Sequence, residues 1–327
     1  MTRLTRRRFL GASSTVLAAS AVGSFLGCGD QDENAPETSL ADQQGEQTSA
    51  GNYAWKWAIC NEIMQDWDWR KQCEFSAQVG YKGLEVAPFT LAQHVDEVSA
   101  ARRSEMRDMA GTAGLEVIGL HWLLVTPDWL HFTTPDEDVR KRTWEYMGKL
   151  ADLCGDLGGS VMIFGSPKQR GSRGISREEA VENLTRGLSE VAPRVAENNT
   201  TLLLEALDTS QTDVVNTVDE AVAVVKAVNH PAISSMFDFH NTADETKPFE
   251  QIVRENFEYI EHVHIQEMDG SYLGAGTGAQ DFLPAMRALK ELGYDQWVSL
   301  EVFNFEPGAE KIATESMNTL QSMMAKL

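Results

Sequence analysis

Basic side chains are scarce in this chain. Lysine and arginine together number 28 against 49 aspartates and glutamates, for a formal charge of −21. Arg3, Arg6, Arg7 and Arg8 fall in a leading segment that has no acid, so removing those four takes −21 to −25 for the rest of the chain. A surface this negative repels nucleic acid and anionic lipid and weighs against a polyanionic ligand. Histidines number seven, too few, with no basic groove, for a multinuclear zinc nuclease. Of the four cysteines, Cys28 lies near the N-terminus, and Cys60, Cys73 and Cys154 show no metal-ligand spacing; single buried thiols are expected. The mildly apolar run Gly11–Gly27 is rich in Ser and Gly and shorter than the roughly 20 residues that span a bilayer. A glycine-rich dinucleotide loop is also missing: the first strand-like segment runs into Asn61-Glu62 with no glycine. No tandem repeat is visible.

The first fifty residues differ in kind from the rest. Thr5-Arg6-Arg7-Arg8-Phe9-Leu10 has the form of a twin-arginine export signal. Leu26-Gly27-Cys28 resembles a bacterial lipobox, which would put a lipid anchor on Cys28. Residues 29–52 are Gln/Asp/Glu/Ser/Thr-rich with almost no large apolar side chain, which is the composition of a disordered tether. The expected organisation is a signal at 1–28, an acidic linker at 29–52 and a folded domain at 53–327. The expected location is the periplasm, free or as a membrane-anchored lipoprotein. The twin-arginine route normally carries folded proteins, so a metal could be loaded before export.

The folded part alternates short β-rich runs with helical stretches. Strands are predicted at Lys56–Cys60, Gly83–Ala87, Glu116–His121, Val161–Gly165, Thr201–Glu205, Ile233–Asp238, His262–Gln266 and Trp297–Val302. Three- and four-residue apolar spacing predicts helices over Asp138–Asp156 and Arg177–Glu197, and over a final Met317–Met324 stretch. Ser176 and Thr217, each followed by acids, read as N-caps, and Gly80, Gly114, Gly158 and Gly293 as helix ends. Eight strand–helix units with no strand-only block define an α/β fold, a (β/α)8 TIM barrel, whose chemistry sits at the C-terminal ends of its strands.

Four groups lie at such ends: Glu205, Asp238, His264 and Glu301. Their separations of 33, 26 and 37 residues each suit one βαβ step of about 30 residues. Neighbouring strands are about 5 Å apart, so the four side chains can meet at one ion. Three carboxylates and one imidazole suit Mn²⁺, Mg²⁺ or Co²⁺, with Zn²⁺ an alternative. A carbonyl beside a hydroxyl on a sugar could chelate such an ion, which would stabilise the enediolate formed when the neighbouring C–H proton leaves. Glu205 and Glu301 are the candidate proton-transfer pair. Returning the proton to the opposite face epimerises the centre, and returning it to the next carbon isomerises the sugar. Loss of a β-substituent would instead make the protein a lyase or hydrolase of 3-keto-glycosides. A sugar-binding lipoprotein without catalysis would not need two opposed acids.

Three segments carry a family likeness. Residues 205–217, EALDTSQTDVVNT, resemble the EPLNRYETDLLNT segment of the sugar isomerase/epimerase family with a xylose isomerase-like barrel, which includes the ketose 3-epimerases. Residues 262–267, HVHIQE, are similar to its His-x-His-x-x-Glu strand, and residues 293–301, GYDQWVSLE, to its last strand. The resemblance implies the same four metal ligands and the same acid/base pair. It also shows departures: Gln211 replaces a substrate-holding glutamate, Gly270 an arginine, and Asn241 a histidine, with His240 one position early. A small carbohydrate is the implied partner, with a different sugar in the outer pocket. Pairing into a homodimer is left open. Glu85, His121, Gln211, His240, Glu267 and Lys168 are the expected substrate contacts. Trp122 could stack on a sugar ring, and Arg170 offers a second cation beside Lys168. Gly274–Gly278 is expected to be a tight turn or lid, and His94 and His131 are expected at the surface.

Overall fold

The computed structural model describes residues 54–327; the expected export signal, Cys28 and the expected linker at 29–52 lie outside the described residues. Eight parallel strands close into a barrel: β1 (Lys56–Cys60), β2 (Gly83–Val86), β3 (Glu116–Leu120), β4 (Val161–Phe164), β5 (Thr201–Leu204), β6 (Ile233–Asp238), β7 (Ile260–Ile265) and β8 (Trp297–Leu300). The ring is sealed where β1 pairs with β8, Lys56 against Trp297 through Ile59 against Leu300. Between and after the strands run α1 (Trp69–Val79), α2 (Ala100–Thr112), α3 (Glu137–Leu157), α4 (Arg177–Glu197), α5 (Val218–Val228), α6 (Phe249–Asn256), α7 (Gly278–Asp281), α8 (Leu283–Glu291) and α9 (Ala309–Met324). No helix among the described residues is long and apolar enough to cross a membrane.

The helix ends follow from local chemistry. Asp68, Asp136, Ser176 and Thr217 each accept a backbone N–H of the first turn, satisfying donors that the helix cannot. The Thr217 cap differs from a simple reciprocal box. The Glu220 carboxylate turns to the Asn216 N–H at 2.7 Å and to Arg177, tying α5 to the start of α4. Gly80 and Gly158 end α1 and α3 in the left-handed region, at φ 115° and 89°, where a side chain is strained.

Strand alternation sorts the side chains into two environments. Outward residues such as Ile59, Leu84, Phe164, Leu204, Val263 and Leu300 join the helices in one continuous apolar layer. Inward residues stack in tiers. The lower tier is apolar, in two small clusters: Val161, Ile163, Leu203 and Met236, and Ala58, Ile118 and Trp297. Two residues further along the same strands the inward positions become polar: Leu203 gives way to Glu205, and Met236 to Asp238. On β7 both inward residues, His262 and His264, are polar and wholly buried.

Between β3 and β4 there is no room for a side chain at residue 119. Gly119 pairs with Val161, and a Cβ at residue 119 would lie 2.1 Å from the Val161 carbonyl oxygen. Because that obstacle is backbone, Gly119→Ala must force the two strands apart. Overpacking of this kind costs about 1–3 kcal/mol, so urea unfolding of the alanine variant should show a clearly lowered midpoint with the slope unchanged.

Candidate metal centre and its cavity

Glu205 follows the last residue of β5, Asp238 ends β6, His264 is the penultimate residue of β7 and Glu301 follows β8. Asp238 and His264 are direct partners across the β6–β7 ladder. The structure brings all four together: one ligand-type atom of each lies within 4.8 Å of the others, and each residue is at most 5% exposed.

Each member is oriented by neighbours. Asn241 Nδ2 donates to Glu205 Oε1 at 3.0 Å and to Asp238 Oδ2 at 2.7 Å. The Asn241 carbonyl accepts in turn from Gln211 Nε2 at 2.6 Å and faces His240 Nδ1 at 3.1 Å, which fixes the amide orientation. The His240 backbone N–H donates to Asp238 Oδ1. Glu301 Oε1 accepts from Trp122 Nε1 at 2.8 Å and faces His121 Nδ1 at 3.1 Å. Behind His264, Glu85 lies 3.1 Å from Nε2 and also 2.9 Å from His262 Nε2. Burial alone would raise the Glu85 pKa, but the two imidazoles hold it well below the usual carboxylate range. A charged Glu85 keeps a proton on His264 Nε2 and turns Nδ1 toward the cluster, as a carboxylate behind a metal-binding histidine does.

The residues fit a divalent cation. His264 Nδ1 lies 2.9 Å from Glu301 Oε2 without good hydrogen-bond alignment, and ligand-type atoms of all four residues lie within 4.8 Å of one another. Burial, together with the charges of Glu301 and Asp238, pushes Glu205 up to about 8. Burial and Glu301 push Asp238 up to about 7. For Glu301 burial acts the same way, but His264 and His121 outweigh it and hold the carboxyl low. Glu205, Asp238, His264 and Glu301 would supply the ligand set, which is hard in character.

A cavity of about 430 Å³ opens over this centre. Glu205 and Glu301 form part of its floor, Trp122, Phe303 and His240 an aromatic side, and Lys168, Gln169, Ser210 and Gln211 its outer wall. Trp122 and Phe303 have ring centroids 5.9 Å apart, and Phe303 and His240 4.9 Å. Trp122 has φ 50°, a conformation a bulky residue rarely adopts. That backbone turn places its N–H on Glu301 while its ring lines the cavity. A larger groove of about 660 Å³ runs along α3 and α4, away from the strand ends and their chemistry.

Several expected contacts occupy other places. Glu85 is wholly buried below the cavity, where it braces two histidines. His121 is wholly buried against Glu301 and Glu62. Glu267 does not line the cavity; its carboxylate accepts the backbone N–H groups of Gly274 and Gly278 and so shapes that loop. Arg170 is wholly buried, donating to the carbonyls of Phe164 and Glu205 at 3.1 and 2.6 Å. His131 is buried at 1% exposure rather than at the surface. Gln211, His240 and Lys168 do line the cavity. Asn241 is the chief residue whose role the sequence left unread; its signal is its place three residues after the ligand Asp238, within hydrogen-bond reach of two carboxylates.

The chain belongs to the xylose isomerase-like TIM barrel family, whose profile matches residues 73–323. Among its curated relatives, a ketose 3-epimerase of Arthrobacter globiformis is 28% identical over 171 residues, 51% of this chain and 55% of that protein, so the match spans little more than half the relative's length. The solved structure of D-psicose 3-epimerase with D-tagatose from Clostridium cellulolyticum H10 aligns with TM-score 0.73 at 20% identity, covering 83% of this chain and 98% of that one. The structure of 3-keto-D-glucoside 4-epimerase from E. coli aligns with TM-score 0.69 at 17% identity, covering 83% and 100%. These relatives are isomerase-class enzymes; the structural likeness at such identities speaks for the fold.

Two outcomes follow from the geometry. A Cβ on residue 165 would lie 2.2 Å from Glu205 Oε2. Gly165→Ala should therefore leave folding intact, as checked by circular dichroism, but displace that carboxylate and weaken metal binding about 10–100-fold. Ligands must be deprotonated to bind a cation. With Glu205 and Asp238 raised to about 8 and about 7, protons compete below those values, so metal affinity should rise with pH through this range and level off above it. Calorimetric titrations at several pH values would test this, and a flat profile would contradict it.

Proposed function

We propose that this chain is a divalent-metal-dependent sugar epimerase or isomerase that moves a proton on the carbon beside a carbonyl. The supporting observation is the placement of Glu205 and Glu301. They stand at the two ends of the four-strand arc β5–β8, both reach the same ligand cluster, and both form the cavity floor. A divalent ion held by the four ligands would polarise the carbonyl and its neighbouring hydroxyl and stabilise the charge left when the C–H proton departs.

The residues divide the remaining work. Before any ion contributes, burial and neighbouring charge push Glu205 up while the imidazoles hold Glu301 down, the separation expected of an acid and a base. Trp122 and His121 fix Glu301 Oε1, leaving Oε2 toward the cluster. Asn241 holds Glu205 by one oxygen and leaves the other for substrate or metal. Trp122 and Phe303 offer apolar faces against which a sugar ring can lie, and His240 and Gln211 offer polar atoms to its hydroxyls.

The test is solvent exchange. Metal-loaded protein in D₂O should place deuterium next to the carbonyl of a ketose or keto-glycoside, and no exchange across such a panel would refute the reading. Glu205→Gln and Glu301→Gln should each lower the exchange rate by about 10²–10⁴-fold. The cavity favours a second reading of the same first step. It extends beyond the metal cluster to Lys168, Gln169 and Ser210, leaving room for a group attached to the ring. In that reading a 3-keto-glycoside loses its β-substituent, and a released aglycone or unsaturated sugar would identify it. The reaction would take place outside the cytoplasm, as the Arg6-Arg7 pattern suggests; a double lysine replacement there should retain the protein in the cytoplasm.

A further inference from the structure

Beside the four-ligand cluster lies a second group of buried ligand-type side chains. Cys60 ends β1, Glu62 follows two residues later, and His121 follows β3; they are 0%, 1% and 0% exposed. One ligand-type atom from each lies within 4.8 Å of the other two.

Close approaches within this group are poorly aligned as hydrogen bonds. Glu62 Oε1, Glu62 Oε2 and His121 Nε2 are all buried without a hydrogen-bond partner, although Nε2 and Oε2 approach to 2.9 Å. An imidazolium clasped between Glu62 and Glu301 would aim one N–H at each carboxylate. Nδ1 meets Glu301 Oε1 in a hydrogen bond at 3.1 Å, but Nε2 is not aligned on Glu62. The same misaligned close approach occurs between His264 Nδ1 and Glu301 Oε2 in the four-ligand cluster. In both places a ring nitrogen and a carboxylate oxygen lie close together without good hydrogen-bond alignment.

We infer that Cys60, Glu62 and His121 form a second metal site, suited to Zn²⁺, distinct from the four-ligand centre and joined to it through His121. Thiolate, imidazole and carboxylate make a softer donor set than three carboxylates and an imidazole, and three protein ligands leave a position for water. Glu62 also lines a separate surface pocket of about 470 Å³ beside Asp66, Trp67, Phe305 and Lys311. An ion on Nε2 leaves the ring proton on Nδ1, where it donates to Glu301. The second ion is thus a positioning device for a catalytic carboxylate, and its existence does not depend on the reaction proposed above.

The experiment is metal stoichiometry on the full chain, saturated with Zn²⁺ and Mn²⁺ and then freed of loose ions. About two ions per chain are expected, with Cys60→Ser and Glu62→Gln each reducing this to one. Asp238→Asn should lose the other ion and keep zinc. Cobalt-substituted protein should show a thiolate-to-metal charge-transfer band that survives Asp238→Asn and vanishes in Cys60→Ser. Bound ions unaffected by both Cys60→Ser and Glu62→Gln, whether one or two per wild-type chain, or cobalt protein without the thiolate band would each overturn the inference. Should Cys60→Ser fail to fold, Glu62→Gln and the wild-type cobalt spectrum still decide. A failed four-ligand centre would look different: Asp238→Asn would leave every ion in place.

Discussion

Glu205, Asp238 and Glu301 repel one another where water scarcely reaches, and the upper half of this barrel is arranged around that repulsion. Burial, and then the charge of the neighbouring carboxylates, raises the cost of ionising Glu205 and Asp238. The neighbours hold them in place nonetheless. Asn241 bridges two of them, Trp122 and His121 hold the third, and the Asp238 side chain accepts the backbone N–H two residues ahead. Beneath the cluster Arg170 joins the β4 and β5 strand ends through their carbonyls, with its positive charge under Glu205. A cluster held this firmly in a repulsive state is preorganised for positive charge.

The barrel separates the parts that hold it together from the parts that do chemistry. Period-two alternation sends one set of side chains out to the helices, where the large apolar layer forms, and the other set inward. Along the inward set the lower tier is aliphatic and the upper tier ionisable, with the change occurring over one inward step on β5 and β6. β7 departs from this pattern, with polar histidines at both levels, and Glu85 sits between them. The reactive tier therefore rests partly on packed hydrocarbon and partly on a buried ionic brace.

Much of the fold was legible because short β-rich runs and capped helices alternate along the chain. The eight strands lie where the sequence put them, and α3 and α4 match their apolar spacing within a residue. β7 begins at Ile260, two residues before the expected start, since Ile260 pairs with Ser235 across a register shift that composition does not signal. The convergence of Glu205, Asp238, His264 and Glu301 was legible because inward parity and strand-end position coincide at all four. What the sequence did not reveal were contacts set by distant partners. Glu85 reads as a rim acid, yet it falls one residue short of its strand's end and meets histidines on the far side of the barrel. Arg170 reads as a loop charge, but carbonyls up to 45 residues away need its donors. Glu267 reads as a sugar contact, but the two glycine N–H groups of its own loop take its oxygens.

Trp122 performs two duties with one ring. Its indole N–H is committed to Glu301, and its face lines the cavity. Any replacement that reshapes the cavity at this residue also unseats a carboxylate, so recognition and reactivity cannot drift independently there. Change in the shape of this cavity is channelled to the opposite wall, where Lys168 and Gln169 have no hydrogen bond to the four strand-end residues.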